Sequence, residues 1–251
     1  LMGNSNGDMD SIGSSLVLYR LVKTLGKEAK IVNETTGIGL DNFLTEAKKT
    51  EEYKDCFVTK EEALGLVKQN SLLIVTDTHK KSYVEVPELL EKVNKVVVVD
   101  HHRRSTDYIE NAILTFHEVY ASSASELVTE ILEYSQLDIE LTPIEVEALY
   151  AGIMLDTKNF TFKTGVRTFE AAAYLRKCGV DIIKVKKWFQ SDLKTYQVIS
   201  EIVSKSEIVN DSIAISTYEN EDENANIIAA KAADELLTIG GITASFVLGK
   251  T

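Results

Sequence analysis

The sequence has few cysteines, few prolines and no long apolar run, and each shortage excludes a class of protein. Two cysteines, Cys56 and Cys178, are too few for a disulfide scaffold or a four-thiolate zinc site, and they predict reduced thiols. Two prolines leave little room for a proline-rich linker. The longest obvious apolar run, Val96–Val99, is far shorter than the ~20 residues that cross a bilayer, so we predict no membrane contact for these residues.

An excess of positive charge is also missing. The chain has 27 Lys and Arg against 39 Asp and Glu, a formal net charge of -12. A surface this acidic repels long polyanions, so we expect no stable binding to duplex nucleic acid. Small phosphate esters remain compatible ligands, because cations or metal ions can reverse the field inside a cleft.

What the sequence does contain is an alternation of strand and helix patterns. This order predicts the α/β class, with a mostly parallel sheet and helices on both faces. All-apolar runs such as Leu72–Thr76 suit strands that are buried on both faces. The predicted strands are Ala29–Asn33, Leu72–Thr76 and Val96–Val99, and the predicted helices are Ile12–Leu25, Thr59–Lys68, Ser122–Tyr134, Pro143–Leu155 and Thr168–Lys177.

The character of the sequence changes after a lysine-rich helical stretch from Asp181 to about Ser206. The pattern beyond it predicts a hairpin around Asp211, formed by Ile208–Asn210 and Ile213–Thr217, then a helix at Ala225–Leu237 and a strand at Ile242–Leu248.

This change predicts two domains of unequal size. We place a large domain at residues 1–185, a helical linker at 186–206 and a smaller, incomplete α/β lobe at 207–251. Because Leu1 begins directly on a motif with no strand leading into it, we expect the chain to be part of a longer protein.

Acidic residues and histidines follow two of the predicted strands and the short leading segment Leu1–Gly3. In open α/β sheets, ligands bind beyond the carboxyl ends of the strands, so these side chains should meet at one edge. A mixture of carboxylate and imidazole without thiolate favours Mn²⁺ or Mg²⁺. The residues are Asp8 and Asp10 after Leu1–Gly3, Asp77 after Leu72–Thr76, and Asp100, His101 and His102 after Val96–Val99.

Two divalent ions about 3.5–4 Å apart can clamp the attacking and leaving oxygens of a phosphoryl transfer, and a water between them loses a proton near neutral pH. The simpler alternative is that Asp8 and Asp10 only cap the helix that begins near Ser11.

Four motifs in this order resemble those of the DHH phosphoesterase superfamily. Residues Asn4–Gly13 (NSNGDMDSIG) resemble its first motif, H-x-x-x-D-x-D, and Asp77, Asp100–His102 and Asp156 resemble the second, third and fourth. Three segments look most like the cyclic-di-AMP phosphodiesterases of the GdpP type: 96–104 (VVVVDHHRR), 120–129 (YASSASELVT) and 152–168 (GIMLDTKNFTFKTGVRT).

The resemblance implies a DHH domain followed by the start of a DHH-associated substrate lobe, and it implies roles for individual residues. Asp8 would bind the first of two Mn²⁺ ions and Asp10 the second, with Asp77 bridging both. His101 and Asp156 would complete the second ion's ligands, and Asp100 and His102 would act in catalysis, behind the ligands or beside the phosphate.

Further residues are candidates for binding the substrate phosphates. Arg103, Arg104 and Arg167 could each pair two phosphate oxygens, although ordinary solvated charges are the alternative. Ser122 and Ser123 could offer hydroxyls or helix-start amides, or could simply cap a helix.

The sequence departs from the family pattern at two places. Asn4 stands where the first motif usually has His, and its neutral amide oxygen is a poorer ligand, so the first metal should bind more weakly. The family's G-G-G-H segment would lie beyond Thr251, since no His follows Gly240 and Gly241.

The resemblance implies hydrolysis of cyclic-di-AMP to linear pApA by metal-bound hydroxide. Oligoribonucleotide phosphodiesterase and pyrophosphatase activity are the alternatives within the superfamily, and a catalytically impaired nucleotide-binding regulatory module is the alternative outside enzymes. The resemblance further implies a cytoplasmic location with a membrane-anchored parent protein, and the sequence leaves a homodimer open.

Overall fold

The computed structural model describes residues 1–34, 40–219 and 225–249. The chain divides into two compact units, Leu1–Phe189 and Gln190–Thr251, and each combines helices with strands. The predicted α/β class is therefore confirmed. The limits of the predicted linker and lobe stay predictions, and residues 220–224 and 250–251 of that lobe lie outside the described residues.

The first unit carries most of the secondary structure. Its elements in chain order are α1 Met9–Thr24, β1 Ile31–Val32, α2 Leu40–Lys49, β2 Phe57–Val58, α3 Lys60–Leu66, β3 Leu72–Thr76, α4 Glu88–Lys92, β4 Lys95–Asp100, β5 Ala112–His117, α5 Ala124–Tyr134, α6 Pro143–Asp156, α7 Val166–Lys177 and α8 Ile182–Trp188.

The strands of this unit pair in parallel, as the sequence predicts. β4 lies between β3 and β5, while β1 pairs with β2. The leading segment joins the two groups: the Met2 amide donates to the Ile74 carbonyl at 3.0 Å, and the Val32 amide donates to the Leu1 carbonyl at 2.9 Å. The ends of this segment, of β3 and of β4 therefore lie side by side.

Helices cover both faces of the sheet. Neighbouring side chains of β4 point to opposite sides, so the strand contributes to a core on each face. Val96 and Val98 belong to a core with Leu89 of α4, whereas Val99 belongs to a larger core that contains Leu16 of α1 and Leu149 of α6. The predicted arrangement of a parallel sheet between helical layers is confirmed.

The helices next to the strand ends begin at side-chain caps. The Asp8 carboxylate accepts from the amides of Asp10 and Ser11 and starts α1. The Ser123 hydroxyl accepts from the Glu126 amide at 3.0 Å and starts α5. α6 begins at Pro143 and ends at Asp156, so its last residue is one of the predicted metal ligands.

The second unit contains α9 Leu193–Ser204, β6 Glu207–Val209, β7 Ile213–Tyr218, α10 Ala225–Leu236 and β8 Ala244–Gly249. The predicted hairpin is confirmed: β6 and β7 are antiparallel, and Asn210 and Asp211 between them have φ of 50° and 58°. These left-handed values suit a tight hairpin turn, in which Asn and Asp are favoured.

The stretch from Asp181 to about Ser206 is helical, as predicted. It contains two helices, α8 and α9, and each has its own cap. The Asp192 carboxylate accepts from the Thr195 amide at 2.9 Å, which starts a new helix after the break.

No helix within the described ranges is both long enough and apolar enough to cross a membrane.

Candidate metal centre

Three carboxylates surround one imidazole nitrogen at the ends of the leading segment, β3 and β4. The distances from His101 Nε2 to the nearest carboxylate oxygens are 3.2 Å for Asp156, 3.5 Å for Asp77 and 3.7 Å for Asp10. These residues come from four separate parts of the chain. The structure thus brings together four of the residues that the sequence suggests as metal ligands.

The His101 Nε2 atom is buried, and no atom of the described residues forms a hydrogen bond with it. Asp10 and Asp77 are buried beside it, with 0% and 4% of their surface exposed. Buried carboxylates are costly unless they are paired or coordinate a cation. An orphaned nitrogen facing three such oxygens is a donor set that fits a divalent metal ion.

The electrostatics of the acids point the same way. Burial, followed by the charge of Asp10, raises the pKa of Asp8 to about 6. Burial and the neighbouring charge of Asp156 raise the pKa of Asp10. The pKa of Asp77 lies well above its ordinary value, mainly because of burial and also because of nearby Asp8 and Asp10. The carboxylates crowd together without enough positive charge among the described residues.

The pKa of His101 is also raised, but by its neighbours and not by burial. Burial alone would lower the pKa of its imidazole, but the carboxylates of Asp156 and Asp77 raise it to about 11. A metal ion bound beside Nε2 would face the same carboxylate oxygens that raise this pKa, and it would displace the imidazole proton.

Asp10 is fixed from outside the centre by the beginning of α5. Its carboxylate accepts from the backbone amides of Ala124 and Ser125, each at 2.7 Å. The first amides of a helix lack partners within the helix, and they carry partial positive charge that suits an anion. The first two amides of α5 thus bind the Asp10 carboxylate.

Asp77 adopts an unusual backbone conformation. Its φ is 59°, in the left-handed region, and its amide donates to the Val99 carbonyl at 2.9 Å. Non-glycine residues adopt this region uncommonly, with Asp and Asn among those that tolerate it best. The turn directs the side chain towards His101 as soon as β3 ends.

Asp8 and Asn4 lie further out. Two groups whose ligand atoms meet contain His101: Asp10, His101 and Asp156 on one side, and Asp77, His101 and His102 on the other. Asp8 is outside both groups and caps α1. The Asn4 Oδ1 atom accepts from the Asn6 amide at 3.0 Å, so the predicted ligand atom binds its own loop.

Asp100 and His102 form a pair behind these ligands. The buried Asp100 carboxylate accepts from His102 Nδ1 at 2.8 Å and from the His101 amide at 2.9 Å. Burial would raise the pKa of Asp100, but hydrogen bonds from His102 and His79 hold it well below its ordinary range. Asp100 is therefore an ionised anchor, while His102, with 47% of its side chain exposed, faces outwards.

The structure separates the candidate substrate-binding residues into two kinds. Arg103 and Arg104 are exposed on the loop after His102, with the Arg104 guanidinium 4.5 Å from the centre of the Tyr108 ring. Arg167 instead makes two hydrogen bonds to Glu130, at 2.6 and 2.7 Å.

Both candidate serine hydroxyls are buried and engaged at the start of α5. Ser122 donates to Glu126 Oε2 at 2.6 Å, and Ser123 accepts from the Glu126 amide. Their capping alternative therefore has direct support, and a substrate-binding role for Ser122, Ser123 and Arg167 stays a prediction.

Two histidines without a predicted role also lie here. The rings of His79 and His117 are 4.7 Å apart, and His79 Nδ1 makes a short hydrogen bond with Asp100. The sequence holds one indirect indication of His79: if β3 and β4 pair in parallel, the residues after β3 lie close to Asp100. The observed register, with Thr76 opposite Val99, has this effect.

The chain is similar in sequence to known proteins. Residues 1–153 match the DHH family, N-terminal domain. The chain is 43% identical over 251 residues to cyclic-di-AMP phosphodiesterase PdeA of Listeria monocytogenes, covering 99% of this chain and 38% of the relative. It is 39% identical over 252 residues to cyclic-di-AMP phosphodiesterase GdpP of Geobacillus thermodenitrificans, covering 100% of this chain and 38% of the relative. The chain thus spans 38% of the length of these relatives.

A solved structure has the same fold. The exopolyphosphatase-related protein of Bacteroides fragilis superimposes with a TM-score of 0.79 at 18% identity, covering 96% of this chain and 72% of that one. The family match extends over residues 1–153, more than half of the chain. This protein belongs to the DHH family.

Proposed function

We propose that this chain is a metal-dependent phosphodiesterase that hydrolyses cyclic-di-AMP to linear pApA with two Mn²⁺ ions. The observation that carries the proposal is the orphaned His101 Nε2 atom facing the carboxylates of Asp10, Asp77 and Asp156. The choice of substrate is supported by the names of the two relatives, which are cyclic-di-AMP phosphodiesterases.

The ions would be held by residues of four chain segments. Asp8 would bind the first ion, Asp10, His101 and Asp156 the second, and Asp77 both. When bound, such ions polarise a phosphate and lower the pKa of water. Mg²⁺ is the alternative ion, since it prefers the same oxygen ligands.

The remaining side chains would orient the substrate. Asp100 accepts from His102 Nδ1, which leaves His102 Nε2 directed away from the anchor; as imidazolium, His102 would donate from Nε2 to a phosphate oxygen. Arg103 and Arg104 are exposed on the same loop and can each pair with two phosphate oxygens. The acidic net charge makes such local cations necessary for an anionic substrate.

The test is a comparison of turnover by the 251-residue chain with Mn²⁺. Cyclic-di-AMP, pApA, a short oligoribonucleotide and pyrophosphate are supplied separately, and products are resolved by chromatography. We expect cyclic-di-AMP to be converted with the highest kcat/KM and pApA to accumulate. Faster hydrolysis of pyrophosphate or of the oligoribonucleotide would replace the proposal by one of the other activities of the superfamily.

Asn4 supports a second candidate, a nucleotide-binding regulatory module with a weakened first metal site. We expect Asn4→His to raise the apparent Mn²⁺ affinity about tenfold, because imidazole is a better ligand than an amide oxygen. Activity is measured against Mn²⁺ concentration. Asn6→His, which adds an imidazole to the same exposed loop, is the control. Rapid turnover by the unsubstituted chain with no gain from Asn4→His would contradict the weakened site.

The raised pKa values predict how metal binding depends on pH. In the metal-free protein the Asp8 carboxylate has a pKa of about 6 and binds a proton below that pH. The His101 imidazole has a pKa of about 11 and keeps its proton at lower pH. Bound metal must displace these protons, so we expect Mn²⁺ affinity to rise between about pH 5 and 7 and protons to be released at neutral pH. Calorimetry in two buffers with different ionisation enthalpies measures the release. An affinity that stays flat over this range would contradict the prediction.

The cytoplasmic location, the membrane-anchored parent and the homodimer stay predictions.

A further inference from the structure

His79 is a buried residue that connects two parts of the site. Only 3% of its surface is exposed. On one side its Nδ1 atom makes a short hydrogen bond with Asp100 Oδ2, and on the other side its Nε2 atom accepts from the Ser105 amide at 3.0 Å. Because a backbone amide can only donate, Nε2 must be unprotonated and Nδ1 must carry the hydrogen.

Each of the two hydrogen bonds reaches a different functional group. Asp100 also accepts from His102 Nδ1, so the bond from His79 fixes the carboxylate that orients His102. Ser105 directly follows Arg103 and Arg104, so the bond to its amide fixes the end of the loop that carries both arginines. A single imidazole thus joins the metal centre to the phosphate-binding loop.

A third metal ion is a weaker explanation of the same cluster. Asp100, His79 and His117 could in principle offer three ligand atoms. However, both nitrogens of His79 already have partners, and the guanidinium-bearing Arg104 lines the same small cavity. The positive charge of the Arg104 guanidinium would repel a metal ion bound in this cavity.

We propose that His79 is a positioning residue: its Nδ1–H holds Asp100 and thereby His102, while its Nε2 holds the loop of Arg103 and Arg104. The consequence for catalysis rests on the proposed function. The two roles are separable, because they use different atoms of one ring.

Two substitutions divide these roles. In His79→Asn the amide nitrogen lies near the position of Nδ1 and can still donate to Asp100, but the side chain is too short to reach Ser105. In His79→Gln the amide oxygen can reach the Ser105 amide, but the bond to Asp100 is lost. Lys81→Gln is the control, since Lys81 is an exposed residue of the same segment that pairs with Glu110 at 3.1 Å.

The expected kinetic results differ between the two variants. We expect His79→Asn to raise KM for cyclic-di-AMP about tenfold with kcat within about threefold, because only the arginine loop is loosened. We expect His79→Gln to lower kcat and Mn²⁺ affinity by about 10–100-fold, the usual effect of losing a partner behind the metal ligands. Lys81→Gln should leave all three constants unchanged. Equal changes of kcat and KM in both variants would overturn the proposal.

A spectroscopic measurement tests the geometry without any activity. The chain has four histidines, so the imidazole signals in ¹H–¹⁵N spectra of the metal-free protein can be assigned by substituting them one at a time. We expect His79 to be the neutral form with hydrogen on Nδ1. A hydrogen on Nε2 would overturn the proposal, whether or not the variants fold. If the unsubstituted chain does not convert cyclic-di-AMP, yet His79 has the Nδ1 form and His79→Gln binds Mn²⁺ more weakly, the proposed function fails and the positioning role stands.

Discussion

Asp77→Asn should abolish most of the hydrolysis and at the same time make the metal-free protein more stable. The activity should fall about 1000-fold, because a divalent ion contributes several kcal/mol to stabilising the transition state and Asp77 is the residue proposed to bridge both ions. The amide of Asn can neither carry the negative charge nor bridge two cations. The loss is measured as kcat/KM at saturating Mn²⁺.

The expected gain in stability follows from the burial of the Asp77 side chain. The pKa of Asp77 lies well above its ordinary value, so the ionised carboxylate costs free energy in the folded protein. Asn has nearly the same shape and tolerates a φ of 59°. We expect the free energy of unfolding to rise by about 1 kcal/mol, which corresponds to a Tm increase of about 2–4 °C for a domain of this size.

Scanning calorimetry with a chelator and with Mn²⁺ measures the Tm of the variant and of the unsubstituted protein. With the chelator, the variant should melt higher than the unsubstituted protein at pH 8, because the unfolded carboxylate is ionised there while the folded site disfavours its charge. The difference should shrink as the pH falls below the raised pKa of folded Asp77, and it should vanish below the ordinary pKa of an aspartate, about 3.9, where the folded and unfolded states are both protonated. With Mn²⁺, the unsubstituted protein should gain more Tm than the variant, which lacks the carboxylate proposed to bind both ions. The exposed Asp138→Asn is the control. A lower Tm of metal-free Asp77→Asn would mean that the carboxylate is stabilised by the His101 proton more than it is destabilised by burial.

The centre could be predicted from the sequence because it depends on strand ends. The run Leu72–Thr76 is observed as β3 with the predicted limits, and the parallel register that places Thr76 opposite Val99 brings Asp77 and Asp100 to the same edge. Only the order of segments and the geometry of a parallel sheet are needed for this step. Asp156 could not be predicted from strand ends, because it lies at the end of α6 and its position depends on the packing of α6 on α1. Only the resemblance to the fourth motif indicated this residue.

Several elements have no counterpart in the sequence analysis. β5 is the edge strand of its sheet, and its residues Ile113 and Leu114 are both exposed, so it lacks the alternation that marks a half-buried strand. β2 pairs with β1 over only two residues, fewer than a periodic pattern needs, whereas β1 itself lies within the predicted strand Ala29–Asn33. Such elements are determined by their neighbours in space and not by their own sequence.

The partners of polar side chains were the least predictable part of the site. Arg167 binds Glu130, which is 37 residues away, and the Ser122 hydroxyl binds Glu126 within the first turn of α5. His79 bonds on both sides to residues more than 20 positions along the chain. A residue type predicts which bonds a side chain can make, whereas tertiary packing decides which of them it does make.

The packing of α1 on α6 is the physical condition for the metal centre, and two glycines allow it. A Cβ atom at Gly13 would lie 2.6 Å from the Ala148 carbonyl oxygen. A Cβ atom at Gly152 would overlap Ser125 Oγ and lie 2.8 Å from Asp10 Oδ1. Both distances are shorter than van der Waals contact. Gly152 therefore permits both the close approach of the two helices and the position of the Asp10 carboxylate.

We expect Gly152→Ala to lower the free energy of unfolding by about 2 kcal/mol, as extra atoms in a packed core usually do. The added methyl should also push Asp10 away from the Ala124 and Ser125 amides, so Mn²⁺ affinity and turnover should fall together. Chemical denaturation and calorimetry measure the two effects. Gly65→Ala is the matched control: Gly65 lies in α3 with no atom within 4 Å of its would-be Cβ, so the same change there should stabilise the protein by about 0.5–1 kcal/mol. If Gly152→Ala instead kept full Mn²⁺ affinity, Asp10 would not need this close contact, and the α1–α6 packing would not set the geometry of the centre.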